Sequence, residues 1–446
     1  MEARMLFSKR DLYKLIVPLI IEQVLAVTIG MVDTVMVSSV GEAAVSGISL
    51  VDAINNLFIQ VFSALATGGA VVAAQYLGRR EPENACASAK QLIYSITALA
   101  LIIMGIALTA RRPLLRLVFG SIEEEVMTHA QTYFLLSGLS YPFLAVYNGG
   151  AALFRSMGNS KISMFSSVLM NMINIGGNAL TIFVFHWGVF GAGMSTLVSR
   201  AFGAVIMMVL LRHRDNPIHV EKMLRFDYNL SMIKNILRIG IPNGMENGMF
   251  QVGKILVSSL VATFGTTAIA ANAVAGNMAG LCTIPGSAIG LGMITVVGQC
   301  VGAKDYNQAV YYVKRLMAIT YLSVGALSAA MFFLASPLVG MYSLTPETAS
   351  LAANLIRLHA VFCVVFWPTS FSLPNGLRAA NDVKFTMLVS VICMWTARIG
   401  SSYLFALVFG WGIYGVWLAM FADWVFRSVF FVIRFLGGKW KTKQYL

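Results

Sequence analysis

The sequence predicts an all-α polytopic membrane protein, with twelve transmembrane helices in two parallel six-helix bundles. Three observations predict it. Hydrophobic residues make up 58% of the 446 residues and charged residues only 11%, against roughly 25% charged in an ordinary globular domain. So few charges cannot cover a water-facing surface, and most of that surface must face lipid. The apolar segments also run far past the alternating stretches of about ten residues that membrane β-barrels use. Finally, the chain matches itself at a shift of 224 residues. Pro18 falls on Pro242, Glu22 on Glu246, Gly41 on Gly265, Gln75 on Gln299 and Gly78 on Gly302. Lys90 then falls on Lys314, Pro113 on Pro337, Trp187-Gly188 on Trp411-Gly412, and Arg80-Glu81 is mirrored by Lys304-Asp305. Two equal halves suggest bundles that rock about a shared cavity, a plan on which many transporters are built.

The spans follow from length, because a bilayer core takes about 20 apolar residues of helix. In the first half they are expected at 15–38, 46–77, 91–110, 127–150, 162–185 and 189–211. In the second half they are expected at 236–262, 270–301, 316–336, 351–376, 385–409 and 413–436. The second and eighth are long enough to tilt or bend. Six spans return the chain to its starting face, so the halves are parallel repeats about an axis along the membrane normal. The division is then an N-lobe over 1–211, a cytoplasmic linker over 212–234, a C-lobe over 235–436 and a basic tail over 437–446. The linker, RHRDNPIHVEKMLRFDYNLSMIK, is too short to be a domain. No GxxxxGK[ST] phosphate loop is present, which argues against direct ATP drive.

The net charge of +13 could suggest nucleic acid, but the cations are placed otherwise. Of the 32 Lys and Arg, 24 lie in the termini and alternate loops, including Lys9, Arg10, Arg155, Lys161, Arg378 and Lys384. That is the positive-inside bias of cytoplasmic segments, so no nucleic-acid partner is expected and both termini are expected in the cytoplasm. Arg111, Arg112 and Arg116 depart from the rule in a loop placed outside. The five cysteines (Cys86, Cys282, Cys300, Cys363, Cys393) have neither disulfide nor metal-ligand spacing, and no cleavable signal peptide is evident.

Five of the 19 acids fall within spans: Glu22, Asp33, Asp52, Glu246 and Asp423. A carboxylate at mid-bilayer costs about 3 kcal/mol on insertion scales, so such groups face protein or water and are usually functional. Asp33 lies deepest, fifteen residues after Pro18. It reads as a proton or cation site; a structural hydrogen bond to a neighbouring helix is the alternative. Asn171, Asn174 and Asn178 recur in the fifth span at helical spacing, as cation ligands or as interhelical polar contacts. Glu22 and Glu246 each follow a proline by four residues, which suits architecture as well as coupling. Pro18 and Pro242 each remove a backbone hydrogen bond and permit a bend. Lys254, Arg398, Asp423 and Arg427 bring both signs of charge into the second half. Pairing of Arg398 with Asp423 would lower the cost of burying both; coupling or substrate contact is the other reading. Asp52 is placed near an outer end and given no role.

These segments resemble the multidrug and toxic compound extrusion (MATE) family, in its bacterial DinF-like branch, along essentially the whole chain. The residues that carry the likeness are PLIIEQ and GMVDTVMVSSVGEAAVSG in the first half, and IPNGMENGMFQVGK and FGTTAIAANAV in the second. Gln75 to Gly78 and Gln299 to Gly302, RSMGNSK and RAANDVK, and WGVFGAG and WGIYGVW add to it. The resemblance implies a V-shaped antiporter of the plasma membrane, not an enzyme, without a cofactor. It would expel cationic or amphipathic organic compounds in exchange for H⁺, or alternatively Na⁺. The relatives' coupling site maps onto Asp33, Asn174, Asn178 and Thr196, which would also hold Na⁺ in a Na⁺-coupled exporter. Those relatives carry Asp where this chain has Asn178, and the acid that NorM-like relatives use in the tenth helix has no counterpart in 351–376. One carboxylate in place of two weakens a Na⁺ site and favours H⁺. A monomer is expected. A dedicated metabolite exporter or lipid-linked precursor flippase is the remaining alternative.

Overall fold

The structure, a computed structural model, describes residues 5–120, 123–223, 225–342 and 344–443; the side chains of residues 29–31, 33, 34 and 42 lie outside that description. The first six spans run Lys9–Ser38, Glu42–Gly78, Pro82–Thr109, Glu124–Leu139 continuing as Tyr141–Ser156, Ser160–Asn178 continuing to Val184, and Gly188–Leu211. The second six run Leu230–Ala262, Thr266–Gly302, Tyr306–Val339, Pro346–Trp367 continuing to Ala379, Val383–Cys393 continuing to Val408, and Gly412–Leu436. Among the described residues nine of these are long and apolar enough to cross a membrane; the first, fourth and seventh complete the twelve expected.

Local chemistry sets the ends. The first span opens at Ser8, whose hydroxyl accepts from the Asp11 N–H at 3.2 Å while the Asp11 carboxylate accepts from the Ser8 N–H at 2.9 Å. This reciprocal cap satisfies two amide donors that a first turn leaves free. The second span ends where the Glu81 N–H reaches back to the Tyr76 carbonyl at 3.0 Å with Arg80 left-handed, φ 63°. The eighth ends identically, Asp305 N–H to Cys300 carbonyl with Lys304 at φ 58°. A helix stopped by such a motif turns the chain sharply into the next span.

The backbone therefore repeats as the sequence does, with one instructive slip. Left-handed positions pair at the 224 shift as Gly41 with Gly265 and Gly188 with Gly412, but Gly158 pairs with Asn381 at 223. The register must recover one residue before Trp411, and it does so in the eleventh span. Both halves close this span with a π-helical stretch, Ala179–Val184 and Leu404–Val408, but only the second half has a further one at Met394–Gly400. A π turn bonds i to i+5 and so takes up an inserted residue within a continuing helix.

The chain divides into two compact units, Phe7–Gly244 and Met245 onward, the latter taking in Leu6 through its N–H to Gln308 Oε1 bond of 2.9 Å. The boundary falls inside the seventh span, just after Pro242, and not in the linker. In the first unit, Gly68 lets the second span approach the opening turns of the seventh: a Cβ there would meet the Ile236 carbonyl at 2.6 Å. The seventh span also begins at Leu230, earlier than expected, so the linker is shorter than read from sequence. The linker docks on the third span. Tyr94 Oη donates to the Met223 and Arg225 carbonyls at 2.9 and 3.0 Å, and Gln91 donates to Asp227 and accepts from the Asn229 N–H. In the second unit the basic tail is anchored by Trp440, buried and stacked on Phe435 with ring centroids 5.6 Å apart.

Large apolar side chains such as Leu322 and Phe333 stand exposed on the outside, as expected where the solvent is hydrocarbon. Exposed aromatics gather at the fifth-to-sixth and eleventh-to-twelfth turns, Phe185 with Trp187 and Phe409 with Trp411. Such belts sit at the membrane–water interface.

At each of these turns a glycine permits close contact. A Cβ on Gly415 would lie 2.6 Å from the Phe405 carbonyl carbon, and one on its repeat mate Gly191 would lie 2.8 Å from Thr181 Cβ. Gly415→Ala is therefore expected to cost about 1–3 kcal/mol, seen as a lower thermal midpoint of the detergent-purified protein. Gly105→Ala, where nothing lies within 4 Å, is expected to lose nothing, since Ala favours a helix interior.

Candidate functional site

Each half holds a polar arrangement inside its bundle, and the two differ. In the first half the fifth and sixth spans meet along a polar seam. Asn174 Nδ2 donates to Thr196 Oγ1 at 3.3 Å, and Thr181 and Ser195 hydroxyls lie 3.2 Å apart. Asn178, one turn beyond Asn174, is buried, and Asn171 turns to Ser167 Oγ at 3.4 Å. The first span packs along the fifth. Asp33 is part of that first helix, with its side chain outside the described residues. Pro18 lies within the same unbroken helix.

The paired glutamates are tied to arginines that the sequence reading had not joined to them. Glu246 Oε1 accepts from Arg378 Nη2 at 2.6 Å, and Arg378 Nη1 donates to Asn375 Oδ1 at 2.8 Å. In the first half Glu22 Oε2 accepts from Ser163 Oγ at 2.9 Å, and Ser163 Oγ accepts from Arg155 Nη1 at 3.0 Å. Both arginines open the matching turns RSMGNSK and RAANDVK, so each half clamps its first helix to its fourth-to-fifth turn with the same residue types. A signal for this existed: when a glutamate and an arginine both recur, their contact recurs.

Asp423, fully buried, has the expected arginine within ion-pair distance and a second one nearer. Its Oδ1 accepts from Arg427 Nε at 2.7 Å, one turn along the twelfth span, whereas Arg398 Nη1 stands 3.9 Å from Oδ2. Arg427 also donates to the Ser390 carbonyl at 3.1 Å. Helical i,i+4 geometry brings Arg427 to Asp423 without any tertiary adjustment, which leaves Arg398 the more distant charge.

A cavity of about 390 Å³ lies in the second-half unit, within the range of roughly 300–1,000 Å³ for small-molecule sites. Lys254 and Arg398 line it together with His359, Trp367, Trp417 and Trp424. His359 is buried against Trp424 at 5.4 Å between ring centroids, and Trp417 Nε1 donates to Asn272 Oδ1 at 3.0 Å. Of the residues expected here, Lys254 and Arg398 line the cavity, Asp423 touches it only through Arg398, and Glu246 is engaged with Arg378. The tryptophans and His359 were not singled out from sequence, although six of the seven Trp lie at or beyond position 367. Among the described residues no cluster of His, Cys, Asp or Glu could hold a metal ion.

The MatE family pattern matches residues 18–180 and again 242–404, two blocks offset by the same 224 residues as the internal repeat. An uncharacterized transporter of Bacillus subtilis, YisQ, is 29% identical over 97% of this chain and 95% of its own. The probable multidrug resistance protein NorM of Thermotoga maritima is 26% identical over 98% and 94%. A crystal structure of a MATE in the bent conformation superposes with a TM-score of 0.88 at 20% identity, covering 97% of this chain and 94% of that one.

Removing the negative charge at the centre of the second-half cluster should be costly. Asp423→Asn leaves Arg398 and Arg427 without a counter-ion, and breaking a buried pair in this way costs about 3–5 kcal/mol. The expected outcome is a much lower thermal midpoint and little folded protein after extraction; a midpoint equal to that of the parent would contradict the assignment.

Proposed function

Because the chain belongs to the MatE family, a family of transporters and not of enzymes, we propose that it is a secondary active efflux antiporter of the plasma membrane. It exports amphipathic organic compounds, cations among them, in exchange for H⁺, with both termini in the cytoplasm. The observation that carries this reading is the doubled family match over a chain of twelve spans. The multidrug character follows the relatives named for it.

The coupling group is Asp33. Supporting this, the helix that carries Asp33 packs on the helix that carries Asn174 and Asn178, and Asn174 reaches Thr196 on the sixth span. A lone acid within a membrane-spanning helix is costly to keep and is usually functional, which suits a proton-coupling role. Proton uptake from outside removes that charge, the first helix repacks on the fifth with Pro18 as its flexible point, and the cargo site closes. Release of the proton to the cytoplasm resets it. Na⁺ coupling is the second reading, favoured by the oxygens that Asn174, Asn178 and Thr196 bring to the same seam; with Asp33 they offer one anionic ligand, fewer than hard cations prefer. The basic ends, Lys9, Arg10, Lys439, Lys441 and Lys443, support the cytoplasmic termini.

Two measurements test this. In sealed proteoliposomes, ethidium movement is expected to follow an imposed pH gradient and ignore a Na⁺ gradient. Movement driven by Na⁺ with the pH gradient collapsed would select the second reading. Asp33→Asn is expected to insert normally and lose at least about 90% of gradient-driven transport, since one ionisable group carries the coupling; undiminished transport would remove Asp33 from that role.

A further inference from the structure

We infer that the cavity inside the second-half unit is a binding site for amphipathic organic anions: an aromatic frame bearing a carboxylate. Its binding chemistry stands on the cavity alone; that a bound anion is cargo rests on the efflux reading above.

The charge balance there is positive. The cations of Lys254, Arg398 and Arg427 surround the Phe250 ring at 5.8, 5.3 and 5.6 Å. Among the described residues the acid facing them is Asp423, already bonded to Arg427 at 2.7 Å. Arg398 keeps only the 3.9 Å approach to Asp423, and Lys254 has no carboxylate within ion-pair distance among the described residues. An organic cation entering would meet net repulsion, and the π face of Phe250 that could hold it is already occupied by three cations.

The hydrogen bonding is incomplete in one direction. Among the described residues Arg398 Nε and Trp424 Nε1 are buried without a partner, and both residues line the cavity. Both atoms are donors only, so the missing partner must be an acceptor. A carboxylate supplies acceptors and counter-charge together, and charge-assisted bonds to a guanidinium are the strong kind. The walls of Trp367, Phe371 and Trp417 offer flat faces to a planar frame.

The twin half argues that these cations are not needed to build the bundle. At the 224 shift Lys254 falls on Gly30 and Arg427 on Gly203, and Arg398, in the stretch where the register recovers, falls on Asn174 or Ile175, none of them a cation. The first half therefore forms the same set of six spans with none of the three at those places. Arg398 itself sits on the π-helical stretch Met394–Gly400 that the first half lacks, and such inserted turns are frequent at functional sites.

Isothermal titration of the full-length purified protein with 2-naphthoate and with the shape-matched cation 2-naphthylmethylammonium tests the inference. The anion is expected to bind at least about tenfold tighter than the cation, and Arg398→Gln and Lys254→Gln are each expected to weaken it about tenfold while leaving the cation no weaker. Lys254 lines the cavity and, among the described residues, has no carboxylate within ion-pair distance, so Lys254→Gln keeps the test open should Arg398→Gln fail to fold. No binding of 2-naphthoate, equal or tighter binding of the cation, or unchanged naphthoate affinity in Lys254→Gln would overturn it. Loss of ethidium transport in vesicles, with naphthoate binding intact, would count against the efflux reading alone.

Discussion

A charge held in hydrocarbon needs a counter-charge or a hydrogen-bond shell, and the interior of this protein is organised by that need. Most buried charges meet it. Glu246 has Arg378, Glu22 reaches Arg155 through Ser163, Asp423 has Arg427, and Asp382 has Arg434 at 2.6 Å. All but the Asp423–Arg427 pair, which lies within one helix, join different helices, and breaking a buried pair strands a charge away from water. Among the described residues one place stands apart, the cluster of Lys254, Arg398 and Arg427, whose three cations face the single acid Asp423. The binding role inferred for it rests on that surplus, because a protein keeps surplus charge in a membrane where something is to bind.

Duplication gives an internal control that a single bundle would not. Features present at matching positions in both halves, such as the glutamate–arginine clamps, the left-handed turns after the second and eighth spans, and the glycine contacts at Gly191 and Gly415, belong to the architecture. Features present once are where the halves have separate tasks. The amide seam of Asn174 and Thr196 and the cationic, tryptophan-walled cavity occupy comparable stretches of the fifth and eleventh spans, yet their chemistry is opposite.

Much of this was legible in the sequence. Hydropathy placed all twelve spans, and the 224-residue shift gave the repeat before any coordinates. Contacts between distant positions were harder. Glu246 and Arg378 are 132 residues apart, and both were noticed, but only the fold shows that they touch. Opposite charges in one half point to the pairing of Arg398 with Asp423, which the fold brings to 3.9 Å, while helical spacing adds Arg427 at 2.7 Å. Nothing in RHRDNPIHVEKMLRFDYNLSMIK reveals that the linker's carbonyls meet Tyr94, Lys90 and Gln91 on the third span. The cavity was least visible, because a tryptophan in an apolar span looks the same whether it faces lipid, packing or an open space.

The most direct measurement is proton release on substrate binding, made with purified protein in weakly buffered detergent solution. If Asp33 alternates between a proton and a cationic cargo, ethidium binding near neutral pH should release up to about one proton per molecule bound, and the release should vanish in Asp33→Asn. Ethidium binding with no proton release in the parent protein, or with the same release in Asp33→Asn, would contradict that exchange.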